Sequence, residues 1–287
     1  MTKIIFTSLK EIPSNLISSI AEHYHHETIL NISSKTIEMV FKSNFQSNDK
    51  KMIQDLAEKN QTDVIFLKNE YIPNETKVFV FDMDSTLINI ECIDEIAREC
   101  GKVSEVSKIT EASMRGEIKN FNESLIARVK LLKGASSEIL EKVYQKSLRL
   151  NLGAENLIQF AHQHGIKTLL VSGGFTFFSE RVKQMLDLDE AHSNTLEIVD
   201  GVITGDVLGK IVDGDQKAYL VEEFCKKHQV LTTSAVVFGD GSNDLKMMEL
   251  AGLSLGFRPK PIIKEKADGT LNFVGLDGIT EFLSFYA

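Results

Sequence analysis

The sequence contains no tryptophan, only four prolines, and no glycine before Gly101. It has three cysteines in 287 residues, Cys92, Cys100 and Cys225, and none of them forms a Cys-x-x-Cys pair. A sparse and odd set of cysteines is a poor disulfide framework for a chain of this length. We therefore expect free thiols and a reducing, cytoplasmic location.

Long apolar runs and an excess of basic residues are also missing. The 32 Lys and Arg residues are outnumbered by 41 Asp and Glu residues, which gives a formal net charge of -9. Nucleic acids and anionic membrane surfaces attract dense basic faces, so this balance argues against both as partners. The first apolar run is too short for a secretion signal, and no later run reaches membrane-spanning length. We expect a globular chain that captures any anionic substrate locally.

Residues 1–72 alternate between strand-like apolar runs and helix-like periodicity. The order of these patterns predicts β-α-β-β-α-β, a small two-layer α+β domain. Because this region has no glycine, its turns must be made by Asn, Ser and Asp. The segment around Pro73 and Asn74 has the composition of a linker.

From Lys77 the pattern becomes that of a doubly wound parallel α/β sheet. Three apolar runs end abruptly in small or acidic residues: KVFVFD before MDST, KTLLVS before GGF, and AVVFGD before GSND. Ligands of such sheets bind beyond the carboxyl ends of the strands, so we expect Asp82, Ser172 and Asp240 to share one crevice. This domain is predicted to span residues 77–287, with its core in 77–88 and 151–287.

Two further segments have clear patterns. Residues from about 89 to 150 carry amphipathic helical stripes, which predict a helical cap over the crevice. Asp200-Gly201 lies between two alternating runs, which is typical of a β-hairpin.

The predicted crevice is rich in carboxylates. Asp82 and Asp84 flank one residue, and Asp240 and Asp244 follow another strand. Four acids held together would repel one another unless a cation intervened, and Mg²⁺ with oxygen ligands fits best. With a metal present, Asp82 could attack phosphorus while Asp84 shuttles the proton.

A phosphate site is predicted beside these acids. Ser172, Gly173 and Gly174 offer a hydroxyl and backbone N–H groups at an expected helix N-terminus. Lys217 is a plausible positive partner. Taken alone, the glycines could equally make a tight turn, and Lys217 could be a surface lysine.

Read together, DMDST (82–86), VSGGF, Lys217 and GDGSND (239–244) resemble the ordered motifs of the haloacid dehalogenase superfamily of phosphotransferases. The flanking segments DSTLINIECIDEIAREC and FNESLIARVKLLKG resemble its phosphoserine phosphatase branch. The resemblance covers the chain from about Lys77 onward and implies a Rossmannoid hydrolase core.

The resemblance also implies roles for individual residues. Asp82 would be the nucleophile and Asp84 the acid/base, while Mg²⁺ would be held by Asp82, the Asp84 backbone carbonyl and Asp240, with Asp244 behind them. The phosphoryl group would be bound by Ser172, Gly173 and Lys217, and Asn243 would reach the substrate from the metal loop.

Substrate choice is expected to come from the cap. A zwitterionic amino acid presents an ammonium that suits a carboxylate and a carboxylate that suits a guanidinium. The resemblance assigns these roles to Glu91 and Arg128. It assigns Met114 and Phe121 to an apolar shield that would exclude water from the reacting phosphate.

The expected function is hydrolysis of O-phospho-L-serine through an aspartyl-phosphate, the last step of serine biosynthesis. One alternative keeps the site but changes the substrate to another small phosphorylated amine or amino acid, or makes the enzyme a phosphotransferase. A second alternative is a regulatory amino-acid-binding module. Enzymes of this branch often carry an N-terminal ferredoxin-like domain resembling ACT sensors, but the missing glycines favour a scaffold role or a homodimer contact here.

Overall fold

The computed structural model describes residues 2–42, 44–114 and 120–287, except for the side chains of Ser113 and Met114. The first part has the element order predicted from the sequence. Its elements are β1 (Thr2–Thr7), α1 (Ser14–His23), β2 (His26–Asn31), β3 (Thr36–Phe41), α2 (Ser47–Lys59) and β4 (Asp63–Leu67). These strands pair antiparallel in the order β2-β3-β1-β4. Alternate strand residues such as Ile4, Phe6 and Met39 pack in one apolar cluster with Leu16 and Ile53 of the two helices.

The second part begins with β5 (Val78–Phe81), and the next strand follows only after a long helical insertion. The described helices of this insertion are α3 (Cys92–Glu99), α4 (Val103–Met114), α5 (Phe121–Lys130) and α6 (Glu138–Lys146). The remaining strands are β6 (Lys167–Phe175), β7 (Glu190–Val199), β8 (Val202–Leu208), β9 (Ala235–Gly239), β10 (Leu253–Phe257) and β11 (Gly269–Leu271). The remaining helices are α7 (Ala154–Gln163), α8 (Thr176–Leu186), α9 (Gly214–Lys227), α10 (Leu245–Leu250), α11 (Pro261–Lys266) and α12 (Thr280–Tyr286).

The predicted parallel core is present, but the complete sheet is mixed. Strands β11-β10-β9-β5-β6-β7 are parallel neighbours, and β8 is antiparallel to β7. Phe79 and Phe81 of β5 point into one apolar cluster, whereas Val78 and Val80 point into another that includes Val221 of α9. The central strand is therefore covered on both faces, which explains its unbroken apolar sequence.

The two parts share one eleven-stranded sheet, which the sequence did not predict. Strand β4 pairs antiparallel with β11 at Ile65 and Gly269. A Cβ atom on Gly269 would lie 2.7 Å from the Ile65 side chain, so glycine permits this close approach. The predicted linker is also packed, because Tyr71 is buried and its hydroxyl lies 2.7 Å from that of Thr76.

The predicted hairpin at Asp200-Gly201 is confirmed, and it contacts the helical insertion. Asp200 and Gly201 both have positive φ, as a two-residue hairpin turn requires. Ser137 N–H donates to the Gly201 carbonyl at 2.8 Å, and Ile203 N–H donates to the Ala135 carbonyl at 2.9 Å. The hairpin thus braces the insertion. None of the helices in the described ranges combines the length and apolar character needed to span a bilayer.

Candidate active site

The loop after β5 turns three acidic side chains toward one crevice. The Asp82 N–H donates to the Phe238 carbonyl of β9 at 2.9 Å, which fixes the end of the strand. Ser85 then adopts a left-handed conformation with φ 57°, unusual for a residue with a side chain. Its hydroxyl donates to Glu91 at 2.9 Å, while the Cys92 N–H donates to Asp84 Oδ2 at 2.8 Å. The loop therefore folds back on itself and presents Asp82, Asp84 and Glu91 together.

The carboxyl ends of separate strands meet as predicted. Phe81 of β5 is in register with Leu170 of β6 and Phe238 of β9. One carboxylate oxygen from each of Asp82, Asp240 and Asp244 lies within 4.8 Å of the others, and all three residues are buried.

Lys217 connects two of these acids from below the crevice. Its side chain is fully buried, and its ammonium donates to Asp82 Oδ1 and to Asp244 Oδ1, each at 2.7 Å. Asp244 Oδ2 accepts the N–H groups of Asp240 and Gly241 at 3.1 Å. Both oxygens of Asp244 are thus used within the protein, so this residue orients Lys217 and the Asp240 loop.

The electrostatics of the crevice suit a cation. Burial, reinforced by the charge of Asp244, raises the pKa of Asp82 well above its ordinary value. Burial and the nearby Glu91 raise the pKa of Asp84 to about 7, and burial raises that of Asp240 to about 6. Asp84 Oδ1 is buried and has no hydrogen-bond partner within the described residues. An oxygen-only donor set with excess negative charge fits a hard divalent cation.

The phosphate-binding prediction needs one correction. Strand β6 continues through Gly173 and Gly174 to Phe175, and α8 begins only at Thr176. The prediction that these N–H groups lie at a helix N-terminus is therefore wrong, because the chain stays extended there. Ser172 Oγ accepts from the Gly174 N–H at 2.9 Å.

The opposite wall of the crevice comes from the helical insertion. A Cβ atom on Gly173 would lie 2.6 Å from Phe121 Cζ, so this ring of α5 rests directly on the glycine. Arg128 of the same helix lines the cavity. Burial lowers its pKa, whereas the acids Asp94, Glu91 and Asp84 oppose that shift.

The structure brings nearly all the predicted residues together. The cavity has a volume of about 310 Å³, and the predicted residues that line it are Asp82, Asp84, Glu91, Phe121, Arg128, Ser172, Gly173, Asp240 and Asn243. Lys217 and Asp244 lie immediately behind this surface. The side chain of Met114 lies outside the described part of the structure.

Sequence reasoning missed several residues of the site. The ammonium of Lys260 lies 3.0 Å from Asp240 Oδ2 and 3.5 Å from Glu91 Oε1. Lys260 follows the end of β10, so the strand-end rule could have found it. Asp94 also lines the cavity, one helical turn after Glu91.

Two buried or half-buried amides act behind the cavity. Asn194 of β7 donates to the Gly173 carbonyl at 2.8 Å and accepts from the Val212 N–H at 2.8 Å. Asn122 of α5 donates to Asp213 Oδ2 at 3.0 Å, and Asp213 caps α9 by accepting from the Gln216 N–H. The insertion and the strand end are thereby tied to the helix that carries Lys217.

The comparisons with known proteins agree with this geometry. Residues 79–249 match the family model of haloacid dehalogenase-like hydrolases. The chain is an enzyme and belongs to the haloacid dehalogenase-like hydrolase family.

Within this family, the chain is similar to proteins described as phosphoserine phosphatases. A phosphoserine phosphatase from a Polaromonas species is 47% identical over 214 residues, which cover 73% of this chain and 91% of that protein. The unliganded structure of a probable phosphoserine phosphatase from Vibrio cholerae is 32% identical, with a TM-score of 0.79, and covers 99% of this chain and 86% of its own.

Two further solved structures of phosphoserine phosphatase are each 40% identical to this chain. One is a phospho-aspartyl intermediate analogue and the other a substrate-bound complex, with TM-scores of 0.68 and 0.67. Each covers 72% of this chain and 98% of its own.

Proposed function

We propose that this enzyme hydrolyses O-phospho-L-serine to serine and phosphate, with Mg²⁺ as cofactor and Asp82 as the nucleophile. The observation that carries the proposal is the meeting of Asp82, Asp84 and Lys217 with Glu91 and Arg128 around one cavity. The first three supply phosphoryl-transfer chemistry, and the last two match the charges of an amino acid. The substrate complex and the intermediate analogue among the related structures support the same reading.

The metal site would use the Asp82 and Asp240 carboxylates and the Asp84 backbone carbonyl. These groups offer only oxygen, the ligand type that Mg²⁺ prefers. When bound, the ion would neutralise negative charge on the phosphoryl group and on the surrounding carboxylates.

Asp82 and Asp84 divide the reaction into two steps. A carboxylate oxygen of Asp82 attacks phosphorus, the bond from phosphorus to the serine oxygen breaks, and protonated Asp84 gives its proton to that oxygen. Water then attacks the aspartyl-phosphate, Asp84 takes a proton from the water, and phosphate leaves with the Asp82 carboxylate regenerated. A pKa of about 7 suits Asp84 to both transfers near neutral pH.

The groups around Asp82 would hold the phosphoryl oxygens. The Ser172 hydroxyl and the Gly173 N–H offer hydrogen bonds, and Lys217 supplies positive charge while it fixes the Asp82 carboxylate. Asn243 lines the same cavity from the metal loop.

Substrate selection would lie in the insertion. Glu91 would pair with the substrate ammonium, Arg128 with its carboxylate, and Phe121 would shield the reacting phosphate together with Met114. Residues from about 89 to 150 would thus act as a cap on a phosphatase domain of residues 77–287.

The N-terminal part, residues 1–72, would serve as a ferredoxin- or ACT-like scaffold. Its β4–β11 pairing with the core supports a structural role. A homodimer and a cytoplasmic location remain predictions.

Phosphate release from two phosphomonoesters, phosphoserine and phosphoethanolamine, tests the proposal. With Mg²⁺ we expect turnover of phosphoserine, weak turnover of phosphoethanolamine, which lacks the carboxylate, and none of either with excess chelator. Arg128→Met should reduce kcat/KM for phosphoserine by about 100-fold, the effect of about 2.7 kcal/mol. The same change should leave phosphoethanolamine within about threefold of its wild-type rate. No release from phosphoserine at saturating Mg²⁺, or equal losses for both substrates, would contradict it.

A further inference from the structure

Lys260 is anchored to the metal loop through its backbone. It immediately precedes α11, and its N–H donates to the Asp240 carbonyl at 2.9 Å. Pro261 follows as the first residue of the helix, which fixes the direction of the chain. The side chain therefore extends from a fixed point beside Asp240.

The ammonium of Lys260 bridges two carboxylates with different proposed partners. It lies 3.0 Å from Asp240 Oδ2 and 3.5 Å from Glu91 Oε1. In the proposed function Asp240 binds Mg²⁺ and Glu91 binds the substrate ammonium, so each carboxylate has a second cationic partner besides Lys260. Burial lowers the pKa of Lys260, but Asp240 and Glu91 outweigh that effect and raise it overall, which keeps the side chain charged.

Lys217 provides an internal contrast. It also bridges two carboxylates, but its side chain is fully enclosed, whereas that of Lys260 is 47% exposed. A lysine on a flexible four-carbon stem with a path to solvent can leave its partners while its backbone stays in place. Lys217 has no such path within the described structure.

We propose that Lys260 is a tethered counter-cation. Its ammonium pairs with the Asp240 and Glu91 carboxylates when no ligand is bound, and Mg²⁺ and the substrate ammonium displace it from them. The identity of the two incoming cations rests on the proposed function. Lys260 is a positioning residue in this scheme, since its ammonium holds both carboxylates in place beside the cavity. As a consequence of this scheme, Mg²⁺ competes with the Lys260 ammonium for Asp240.

Calorimetric titration of the metal-free protein with Mg²⁺ tests this directly. Lys260→Met removes the charge but keeps the length, and we expect it to tighten Mg²⁺ binding about tenfold. Lys260→Arg should stay within about threefold of wild type, because it restores the charge. The matched control is Lys266→Met, which removes the same charge from an exposed residue of α11 and should change binding by less than about twofold. Weaker Mg²⁺ binding by Lys260→Met, or equal changes in both methionine variants, would overturn the proposal.

A second measurement uses the wild-type protein alone. Lysine side-chain ¹H–¹⁵N NMR, with Lys260 assigned by its absence in Lys260→Arg, should show its signal shift and lose protection from solvent exchange on addition of Mg²⁺. An unchanged signal would refute displacement. Phosphate release from phosphoserine is measured separately, so a wild-type enzyme inactive on that substrate but with the expected Mg²⁺ response would refute the substrate and leave the role of Lys260 standing.

Discussion

Two regions of the same sheet bury carboxylates in opposite ways. At the seam between β4 and the core, Asp63 accepts the N–H groups of Asn272, Phe273 and Val274 at 2.7 to 2.9 Å. In the crevice, Asp84 Oδ1 has no partner within the described residues, and Asp82 shares Lys217 with Asp244. Burial raises the pKa at both places, but only at the seam do three backbone donors counteract it.

The difference separates structural from chemical carboxylates. A buried acid whose oxygens are satisfied by backbone N–H groups is part of the fold, and its loss should cost stability. A buried acid with open oxygens carries an electrostatic cost that a ligand relieves, and its loss should cost activity. Isosteric substitutions at the two places test this distinction.

The largest expected effect is that of Asp82→Asn on activity. We expect phosphate release to fall by about 10⁴-fold or more, because the amide is not a competent nucleophile. The free energy of unfolding should be unchanged or higher, since the charged form of Asp82 is disfavoured by burial. Activity and urea denaturation are measured on one preparation, and a large loss of stability would contradict the comparison.

Asp63→Asn should show the reverse behaviour. The side-chain amide introduced by this substitution would place its N–H donors opposite backbone N–H groups that now bond to the carboxylate. We therefore expect the free energy of unfolding to fall by about 2 kcal/mol. The values of kcat and KM should stay within about twofold of wild type at 25 °C. A parallel fall in kcat would show that the seam supports the crevice and would break the distinction.

A third variant concerns the contact between insertion and core. Asn122→Ala removes the hydrogen bond to Asp213, and we expect KM to rise about fivefold with little change in kcat, the effect of about 1 kcal/mol. Asn156→Ala is the matched control. Asn156 donates a similar hydrogen bond to Asp277, with a length of 2.8 Å, and this bond does not line the crevice. Equal kinetics in both variants would mean that the Asn122 contact has no role in substrate binding.

The smallest expected effect is a pH dependence of stability at a second contact between the N-terminal part and the core, that of α12 with the start of β3. The hydroxyls of Ser33 and Thr36 donate to Glu281, which holds the pKa of this carboxyl below its usual range. Its stabilising contribution is thus present above the unfolded pKa of about 4.3 and is lost as the pH falls through the lower folded value. Glu281→Gln should lower Tm by about 1 to 2 °C at pH 7, and by less at pH 3. A Tm difference that is constant with pH would contradict this assignment.

The sequence was most informative where chain direction dictates position. Asp82 and Asp240 each follow a buried parallel strand and Ser172 lies in the last part of another, and the parallel pairing of β5, β6 and β9 brings them to one edge. The hairpin turn was equally predictable, because Asp200-Gly201 suits the positive φ values that the turn requires.

Long-range pairing was not predictable from local patterns. The contact of Ile65 with Gly269 joins residues about 200 positions apart, and no periodicity encodes it. The bond of Asn194 to Gly173 likewise depends on how β6 and β7 align. Lys260 is not predicted by the local pattern, because the strand before it, LSLGF, is short and gives a weak signal.

The pairing of β4 with β11 has a consequence for any shortened form of this enzyme. Strand β11 has only three residues, and the N-terminal part covers its outer side. If residues 1–72 were removed, the hydrogen-bonding groups of that strand would face water as a free margin, a template for self-association between molecules. A truncated version would thus keep the residues that line the crevice while exposing this short margin to solvent.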